Sequence, residues 1–363
     1  YLLILLIAAG FTYLLAGLCR RLAFRYNAVA MVRDRDVHTR PIPYFGGIAM
    51  LCGLAAALLV AGQLPWLGRF DLVAHDSRAV FVAGLVICAV GVLDDMYELN
   101  ALAKIAGQML AAGIVVLNGV KVYWIPLPNT ILTLDDAMSI LLTMALIFLC
   151  VNSINLIDGL DGLAAGVVAI GASSFFIYAY WLSYEQELVR ATTASLITVV
   201  TVGVCLGFLP YNVHPARMFM GDSGSMLLGF LMATSVISLT GQIDPSQVTV
   251  QGSGLAVNAY LPLFLPLAVM ALPLGDLFLA YIRRTMAGRL WFQADKQHLH
   301  HRMLELGHSH GRAVLLLWLW TAVLAFGAIL IGLTTAPWAI AALLAGLALA
   351  AWLTWKPVHH AAG

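Results

Sequence analysis

The sequence predicts an all-α, polytopic integral membrane protein. Hydrophobic residues make up 62% of the 363 residues and charged residues only 10%, whereas an ordinary soluble domain has roughly 45–50% and 25%. Apolar runs recur along the whole chain and are separated by short polar stretches. Because no polar stretch is long enough for a separate fold outside the membrane, we expect one integral membrane domain over residues 1–363.

Eleven apolar runs are long enough to cross a bilayer, for which ~20 residues are typical. They cover about 1–18, 44–62, 78–93, 101–117, 137–152, 162–182, 191–210, 223–240, 258–282, 313–333 and 335–355. The fifth run is short and the last two nearly merge, so ten spans are the alternative. The first run lacks the basic flank and cleavage site of a signal peptide. Pro262, Pro266 and Pro273 predict a kinked or broken ninth helix.

The charged residues exclude nucleic acids as partners and predict the orientation of the chain in the membrane. Nineteen Lys and Arg nearly balance eighteen Asp and Glu, so the basic surplus that nucleic-acid binding requires is missing. The positive-inside rule favours the topology that leaves only Arg69, Arg78, Lys121 and Arg190 outside. The cytoplasmic loops are then 19–43, 94–100, 152–161, 211–222 and 283–312, and the polar clusters fall in them. The opposite loops carry turn residues and no cluster.

Two adjacent acids end the third run. Asp94 and Asp95 stand in LDDMYEL, and Lys104 follows inside the fourth run. Adjacent carboxylates repel each other, so they need a cation, a lysine or a shared proton. The alternative is an ordinary charged helix end with Lys104 as its counter-ion.

Further oxygen donors follow in two glycine-containing motifs. NSINLIDGLDGLAAG carries Asn155, Asp158 and Asp161, and MFMGDSGS carries Asp222. Carboxylate and amide oxygens such as those of Asp222 and Asn155 are ligands that Mg²⁺ prefers. The alternative is that these acids cap the helices that follow them.

The last motif is rich in histidine. DKQHLHH carries His298, His300 and His301, whose spacing and lack of cysteines favour contacts with phosphate oxygens over a zinc site. The other histidines, His38, His75, His214, His308 and His310 among them, are predicted to be solvated. Arg283 and Arg284, with Trp291 and Phe292 nearby, suit a lipid phosphate at the headgroup level or, alternatively, simple anchoring.

In this order the motifs resemble the polyprenyl-phosphate N-acetylhexosamine-1-phosphate transferases. LDDMYEL, NSINLIDGLDGLAAG, NVHPARMFMGDSGSMLLG and DKQHLHH carry the resemblance, which runs from about Val37 to Leu315. The ending ADKQHLHHRMLELG is similar to that of the undecaprenyl-phosphate N-acetylglucosamine-1-phosphate transferases of the WecA and TagO type. The PxHHHFE ending of the peptidoglycan branch is not found in this sequence.

The resemblance implies a role for each matching residue. Asp94 would be the base or activator for the lipid phosphate, with a covalent phospho-enzyme as the alternative route. Asp95 would shape the metal field, and Lys104 would bind the pyrophosphate. Asn155 and Asp222 would hold Mg²⁺, with Mn²⁺ as a substitute. The implied nucleoside pocket comprises Asp158, Gly159, Leu160, Asp161, Asn212 and Phe219. The three histidines of DKQHLHH would contact the sugar and diphosphate.

The implied reaction moves N-acetylglucosamine-1-phosphate from UDP-GlcNAc to undecaprenyl phosphate and releases UMP. It would take place at the cytoplasmic face of a bacterial inner membrane and feed the synthesis of cell-surface polysaccharides. Another UDP-N-acetylhexosamine is an alternative donor. A secondary transporter is the rival class, because intramembrane acids and a broken helix also suit transport. The resemblance allows a homodimer and leaves the oligomeric state and the lipid chain length open.

Overall fold

A computed structural model describes residues 1–30, 41–127, 130–185, 187–240, 265, 267–286, 298–334 and 336–356. Within them the chain forms twelve helices. These are α1 Leu2–Arg25, α2 Gly46–Gln63, α3 Asp71–Tyr97, α4 Ala101–Leu117, α5 Asp136–Ile157, α6 Leu163–Glu185, α7 Val189–Asn212, α8 Gly221–Thr240, α9 Ala271–Met286, α10 Leu299–Glu305, α11 His310–Leu333 and α12 Pro337–Trp355. The prediction of an all-α membrane protein is confirmed.

The helices reproduce most of the predicted spans. Nine of those in the described part of the chain are long and apolar enough to cross a membrane, and α4 is a shorter apolar helix. The ninth predicted span, 258–282, falls partly outside the described residues. Its described part includes a helical turn over 267–269 and the start of α9. Of the three prolines on which the predicted kink depends, Pro262 and Pro266 lie outside the described residues, and Pro273 is the third residue of α9.

Two short antiparallel hairpins were not predicted. In the first, β1 (Val29–Ala30) pairs with β2 (Ile42–Pro43). In the second, β3 (Trp124–Leu127) pairs with β4 (Thr130–Thr133), with Trp124 opposite Thr133. The second hairpin is rich in β-branched and aromatic residues, which favour strands. Each hairpin connects two consecutive helices and interrupts neither of them.

Several predicted loops are shorter than the sequence suggested, because the helices continue past the apolar runs. α3 continues to Tyr97 and α5 to Ile157, so residues 94–97 and 152–157 of the predicted loops are helical. The first residues of the predicted loop 211–222 belong to α7, and its last residues belong to α8. The predicted loop 283–312 contains α10 and parts of α9 and α11. The polar clusters therefore stand largely on the last or first turns of helices, which hold side chains more firmly than loops do.

The centre of the bundle is formed by α7 and α8. About nine-tenths of the most apolar stretch of each is buried, compared with 17% for α12. α7 packs against α1, α6 and α8, and α8 also packs against α3 and α5. Buried hydroxyls on α7 bond to carbonyls one turn earlier, as Thr198 does to Ala194 at 2.7 Å. This pairing lets polar side chains occupy the membrane interior.

Small residues allow α8 to approach both of its neighbours. A Cβ atom on Gly91 of α3 would stand 2.7 Å from the Asp222 carbonyl carbon, and one on Gly229 of α8 would stand 2.6 Å from the Cα of Val151 on α5. Such close backbone contact is typical of helices packed in membranes. It brings the start of α8 between the ends of α3 and α5.

An ion pair links α3 and α7 at the opposite end of the bundle. Arg190 Nη1 donates to Asp76 Oδ2 at 3.1 Å, and the Asp76 carboxylate is buried. The predicted third span begins at residue 78, whereas α3 begins at Asp71 and therefore includes Asp76. The pairing supplies the positive charge that a buried carboxylate requires.

The close contact of α3 with α8 predicts a cost for Gly91→Ala. The added methyl group meets backbone, so we expect a destabilisation of about 1–3 kcal/mol, the usual penalty for overpacking. Gly113→Ala on α4 is the matched control, because a Cβ atom there meets nothing within 4 Å. Thermal unfolding in detergent measures both, and equal stability of the two variants would contradict the close approach.

Candidate active site

The start of α8 is capped by a side chain from α3. The Asp222 backbone N–H donates to Asp95 Oδ1 at 2.7 Å, and the Ser223 N–H donates to Asp95 Oδ2 at 3.3 Å. A helix N-terminus leaves such donors unpaired and favours a negative charge. Gly221 has a φ of 69°, and a Cβ atom on it would stand 2.7 Å from the Asp95 carboxyl carbon. Asp95 therefore fixes the position of Asp222.

Lys104 joins two acids that are far apart in sequence. Its Nζ donates to Asp94 Oδ2 at 2.7 Å and also to Asp222 Oδ2. The other oxygen of Asp94 accepts the Leu99 backbone N–H at 2.8 Å. Asn100 caps α4 by accepting the Ala103 N–H at 2.8 Å, and so begins the helix that carries the lysine. The ends of α3, α4 and α8 meet at one ammonium group.

Asn155 adds a third oxygen to this cluster. The Asn155 amide is assigned the orientation that satisfies both of its polar atoms. In this orientation its oxygen accepts from Lys104 Nζ at 3.3 Å, and its nitrogen donates to Asp222 Oδ1 at 2.9 Å and to Ser225 Oγ at 2.7 Å. The sequence motif placed Asn155 in a turn, but it lies on the last turns of α5. Asp94, Asp222 and Asn155 thus direct oxygen atoms toward one cation.

A buried pair of amide side chains lies one helical turn from Lys104. Asn152 Nδ2 donates to Gln108 Oε1 at 2.8 Å, and Gln108 is fully buried. Gln108 lies one helical turn after Lys104 on α4, so the two side chains share a face. Gln108 was not among the predicted site residues, although an amide four residues after a lysine in an apolar helix was an available signal. The pair fixes α4 against α5.

The donor set fits a divalent cation. Mg²⁺ binds carboxylate and amide oxygens and usually keeps waters and substrate phosphates in its remaining positions. Asp222 and Asn155 supply such oxygens, and Asp94 shares the Lys104 ammonium group with Asp222. Because the acids outnumber the lysine, additional positive charge would be favourable there.

The turn at 158–162 lies beside this cluster. Desolvation, and then the charges of Asp222, Asp95 and Asp161, raise the pKa of Asp158 to about 8. The buried Asn212 holds the turn, since its Oδ1 accepts the Gly162 N–H and its Nδ2 donates to the Met218 carbonyl, both at 3.1 Å.

The remaining residues of the predicted nucleoside pocket have different environments. Gly159 is exposed, whereas the Leu160 side chain is buried in the hydrophobic core. Phe219 is half-buried beside Tyr44, with 6.2 Å between ring centroids, and its N–H donates to the Pro43 carbonyl at 2.9 Å. The loop before α8 is thereby attached to the start of α2.

Two histidines predicted to be solvated are partners of Asp161. His214 Nδ1 lies 2.7 Å from Asp161 Oδ2, and His310 Nε2 accepts the Asp161 backbone N–H at 3.0 Å. His308 is also buried and contacts the Thr354 carbonyl at 2.9 Å. The prediction was wrong for His308 and His310, whose side chains are shielded from solvent. His214 is exposed as predicted, but it pairs with Asp161. The partners of all three lie 46 to 149 residues away in the sequence, so no local signal marks them.

The histidine motif is anchored by an acid that sequence reasoning missed. His298 Nδ1 lies 3.2 Å from Asp276 Oδ2, and Asp276 Oδ1 accepts the Leu299 N–H at 2.9 Å, which caps α10. His301 is exposed at the start of α10. The His300 side chain, Trp291 and Phe292 lie outside the described residues.

Arg283 and Arg284, the predicted ligands of a lipid phosphate, are half-buried in the last turn of α9. α9 packs against α5, which carries Asn155, and against α11, whose His310 contacts the neighbouring turn. The lipid-phosphate role of the two arginines stays a prediction.

The structure defines a polytopic α-helical membrane protein with a carboxylate-rich site at one end of its bundle. Residues 77–240, which include Asp94, Lys104, Asn155 and Asp222, match the model of glycosyl transferase family 4. The chain is 46% identical over 327 residues to the decaprenyl-phosphate N-acetylglucosaminephosphotransferase of Mycobacterium leprae, a match that covers 89% of this chain and 81% of the relative. The chain belongs to glycosyl transferase family 4.

Two other relatives show the breadth of the similarity. The probable undecaprenyl-phosphate N-acetylglucosaminyl 1-phosphate transferase of Bacillus subtilis is 32% identical, over 88% of this chain and 81% of its own length. The phospho-N-acetylmuramoyl-pentapeptide-transferase of Desulforudis audaxviator is 29% identical, over 88% and 96%. The predicted family is confirmed.

The shared ammonium group predicts that Lys104→Gln lowers the turnover of sugar phosphate onto lipid by about 100-fold or more, because two carboxylates lose their common partner. Lys121→Gln is the matched control, since Lys121 pairs with Asp136 at 2.5 Å away from the cluster. Initial rates with labelled donor measure both. A Lys104→Gln enzyme with more than about a third of the wild-type rate would contradict a functional role for the shared ammonium group.

Proposed function

We propose that the protein transfers N-acetylglucosamine-1-phosphate from UDP-GlcNAc to a polyprenyl phosphate and releases UMP. The observation that carries this proposal is the convergence of Asp94, Asp222 and Asn155 on one cation position at the end of a membrane bundle. Such a site is within reach of both a water-soluble nucleotide and a lipid phosphate. The names of the relatives from Mycobacterium leprae and Bacillus subtilis support the donor sugar and the class of acceptor.

The reaction is a phosphoryl transfer, which depends mainly on positioning and electrostatics. An oxygen of the lipid phosphate attacks the β-phosphorus of the donor. A new phosphorus–oxygen bond forms, and the bond from the β-phosphorus to the bridging oxygen breaks. That oxygen leaves with UMP, and the product is GlcNAc-diphospho-polyprenol.

The protein residues have separate tasks in this scheme. Asp94 faces the lipid phosphate and accepts a proton if that phosphate is singly protonated. Lys104 moves from its carboxylate partners to the diphosphate and stabilises the charge that develops on the leaving UMP. Asp95 keeps the start of α8, and with it Asp222, in place through two backbone hydrogen bonds.

Asn155 and Asp222 would hold Mg²⁺, for which Mn²⁺ could substitute. When bound, the ion neutralises diphosphate charge and orients the phosphates. The support for this assignment is the chemistry of the donors, two oxygen-bearing side chains that already face a cation.

The site end of the bundle is proposed to face the cytoplasm of a bacterial cell. Arg20, Arg21, Arg25, Arg217 and Arg312 belong to this end, whereas Arg69, Arg78, Lys121 and Arg190 belong to the other. The positive-inside rule favours this orientation, and UDP-sugars would then reach the site directly. The product would serve cell-surface polysaccharide synthesis.

The length of the lipid is a separate part of the proposal. Undecaprenyl phosphate is the acceptor that the sequence motifs imply, and the relative at 32% identity carries that name. The relative at 46% identity is named for decaprenyl phosphate. We propose that the enzyme accepts both, because the reacting phosphate is identical in the two lipids.

Transfer of labelled sugar phosphate from UDP-GlcNAc to each lipid by purified protein tests the reaction and the metal together. We expect lipid-linked product with Mg²⁺ and none after chelation, and a loss of at least about 100-fold in Asp222→Asn. Asp136→Asn is the control, because that carboxylate is exposed and pairs with Lys121 away from the cluster.

The outcomes separate the rival functions. Product from another UDP-N-acetylhexosamine but not from UDP-GlcNAc would overturn the donor and retain the reaction. Product without a divalent ion would overturn the metal assignment. Absence of product from every donor would overturn the transferase and favour secondary transport.

Cleavage between the phosphorus atoms makes a stereochemical prediction. The bond from the sugar to its phosphate oxygen is never broken, so the product keeps the α configuration and a heavy oxygen placed in that bond. Nuclear magnetic resonance and mass spectrometry of the lipid product measure both. An inverted anomeric centre would contradict the scheme.

A further inference from the structure

Three separate stretches of chain meet at Asp161. Asp161 stands in the turn between α5 and α6, His214 in the loop between α7 and α8, and His310 is the first residue of α11. The carboxylate of Asp161 and the ring of His310 are largely shielded from solvent, while His214 is more open. The contact joins residues 53 and 149 positions apart.

The hydrogen bonds fix both ends of Asp161. Its backbone N–H donates to His310 Nε2 at 3.0 Å, so the His310 ring carries its proton on Nδ1. Asp161 Oδ2 accepts from His214 Nδ1 at 2.7 Å and from the Ala216 backbone N–H at 3.0 Å. The backbone N–H of Asp161 is therefore held by α11, and its carboxylate is held by the loop between α7 and α8.

The two imidazole rings also hold each other. Their centroids lie 4.2 Å apart, with 21° between the ring planes. α11 is attached to the same region a second time, since Trp318 Nε1 donates to the Leu163 carbonyl at the start of α6 at 3.3 Å. The orientation of the turn thus depends on the position of α11.

Two histidines and an aspartate are also a set of metal ligands, and their ligand atoms lie within 4.8 Å of one another. In this arrangement, however, the lone pair of His310 Nε2 accepts a hydrogen bond from the Asp161 backbone N–H. His214 Nδ1 donates a hydrogen bond to the Asp161 carboxylate. A metal would have to break both hydrogen bonds. The geometry favours a hydrogen-bonded clamp.

We propose that His214 and His310 are positioning residues that hold the 158–162 turn in the conformation that binds the nucleoside of the sugar donor. This inference rests on the proposed function. Asp158 and Asn155 lie at the start of this turn and just before it, and Asn155 contacts the catalytic cluster. A displaced turn would weaken the binding of the donor and leave the lipid phosphate site unchanged.

Two pairs of variants test the clamp. Alanine at either position removes a hydrogen bond. His214→Asn keeps a donor near the position of Nδ1, and His310→Gln keeps an acceptor near the position of Nε2. His75→Ala is the control, because His75 lies beside Asp76 at the opposite end of the bundle.

We expect His214→Ala and His310→Ala to raise the KM for UDP-GlcNAc and the Kd for UMP by about tenfold, the loss expected for one hydrogen bond. kcat and the KM for the lipid should stay within about threefold, and the Asn and Gln variants should restore most of the affinity. Zinc content, measured by mass spectrometry, should be negligible in all proteins.

Four results from the variants would overturn the proposal. These are an unchanged donor KM in both alanine variants, a fall in kcat alone, conservative variants as impaired as the alanine variants, and stoichiometric zinc that the variants lose. A wild-type protein that binds UMP but transfers no sugar phosphate would refute the proposed function, while the Kd series would still test the clamp. A wild-type protein that binds no UMP would overturn the clamp itself.

Discussion

The structure depends on one ammonium group shared by carboxylates from different helices. Lys104 of α4 contacts Asp94 of α3 and Asp222 of α8, and the amide oxygen of Asn155 on α5 faces it. Near the membrane these acids would repel each other strongly without a cation. Gly91 allows α3 and α8 to approach. The same contacts therefore hold the helices together and place the side chains of the site.

The membrane spans and the main polar cluster could be predicted because both signals are local. Hydropathy marks the helices, and acids at the ends of apolar runs are costly enough to indicate function. Asp94, Lys104 and Asp222 were selected on that ground, and the structure brings them together. The interaction of Asp95 with the start of α8 could not be predicted, because a motif does not reveal which backbone donors a carboxylate will meet.

The residues that sequence reasoning missed all act through distant partners. Asp276 pairs with His298, Gln108 with Asn152, and His310 with Asp161, across gaps of 22 to 149 residues. An isolated histidine in a loop is usually solvated, and only the fold shows that His310 begins a helix packed on the site. The helix ends were also misplaced, since caps and ion pairs extend helices beyond the apolar runs.

A double-mutant cycle tests most directly whether the acids and the lysine act as one unit. The rates of Lys104→Gln, Asp222→Asn and the double variant are compared with that of the wild type. If the two residues form one site, the double variant is no more than about threefold slower than the slower single variant, because residues that act together lose their effect only once. Losses that multiply in the double variant would show independent contributions and contradict the shared site.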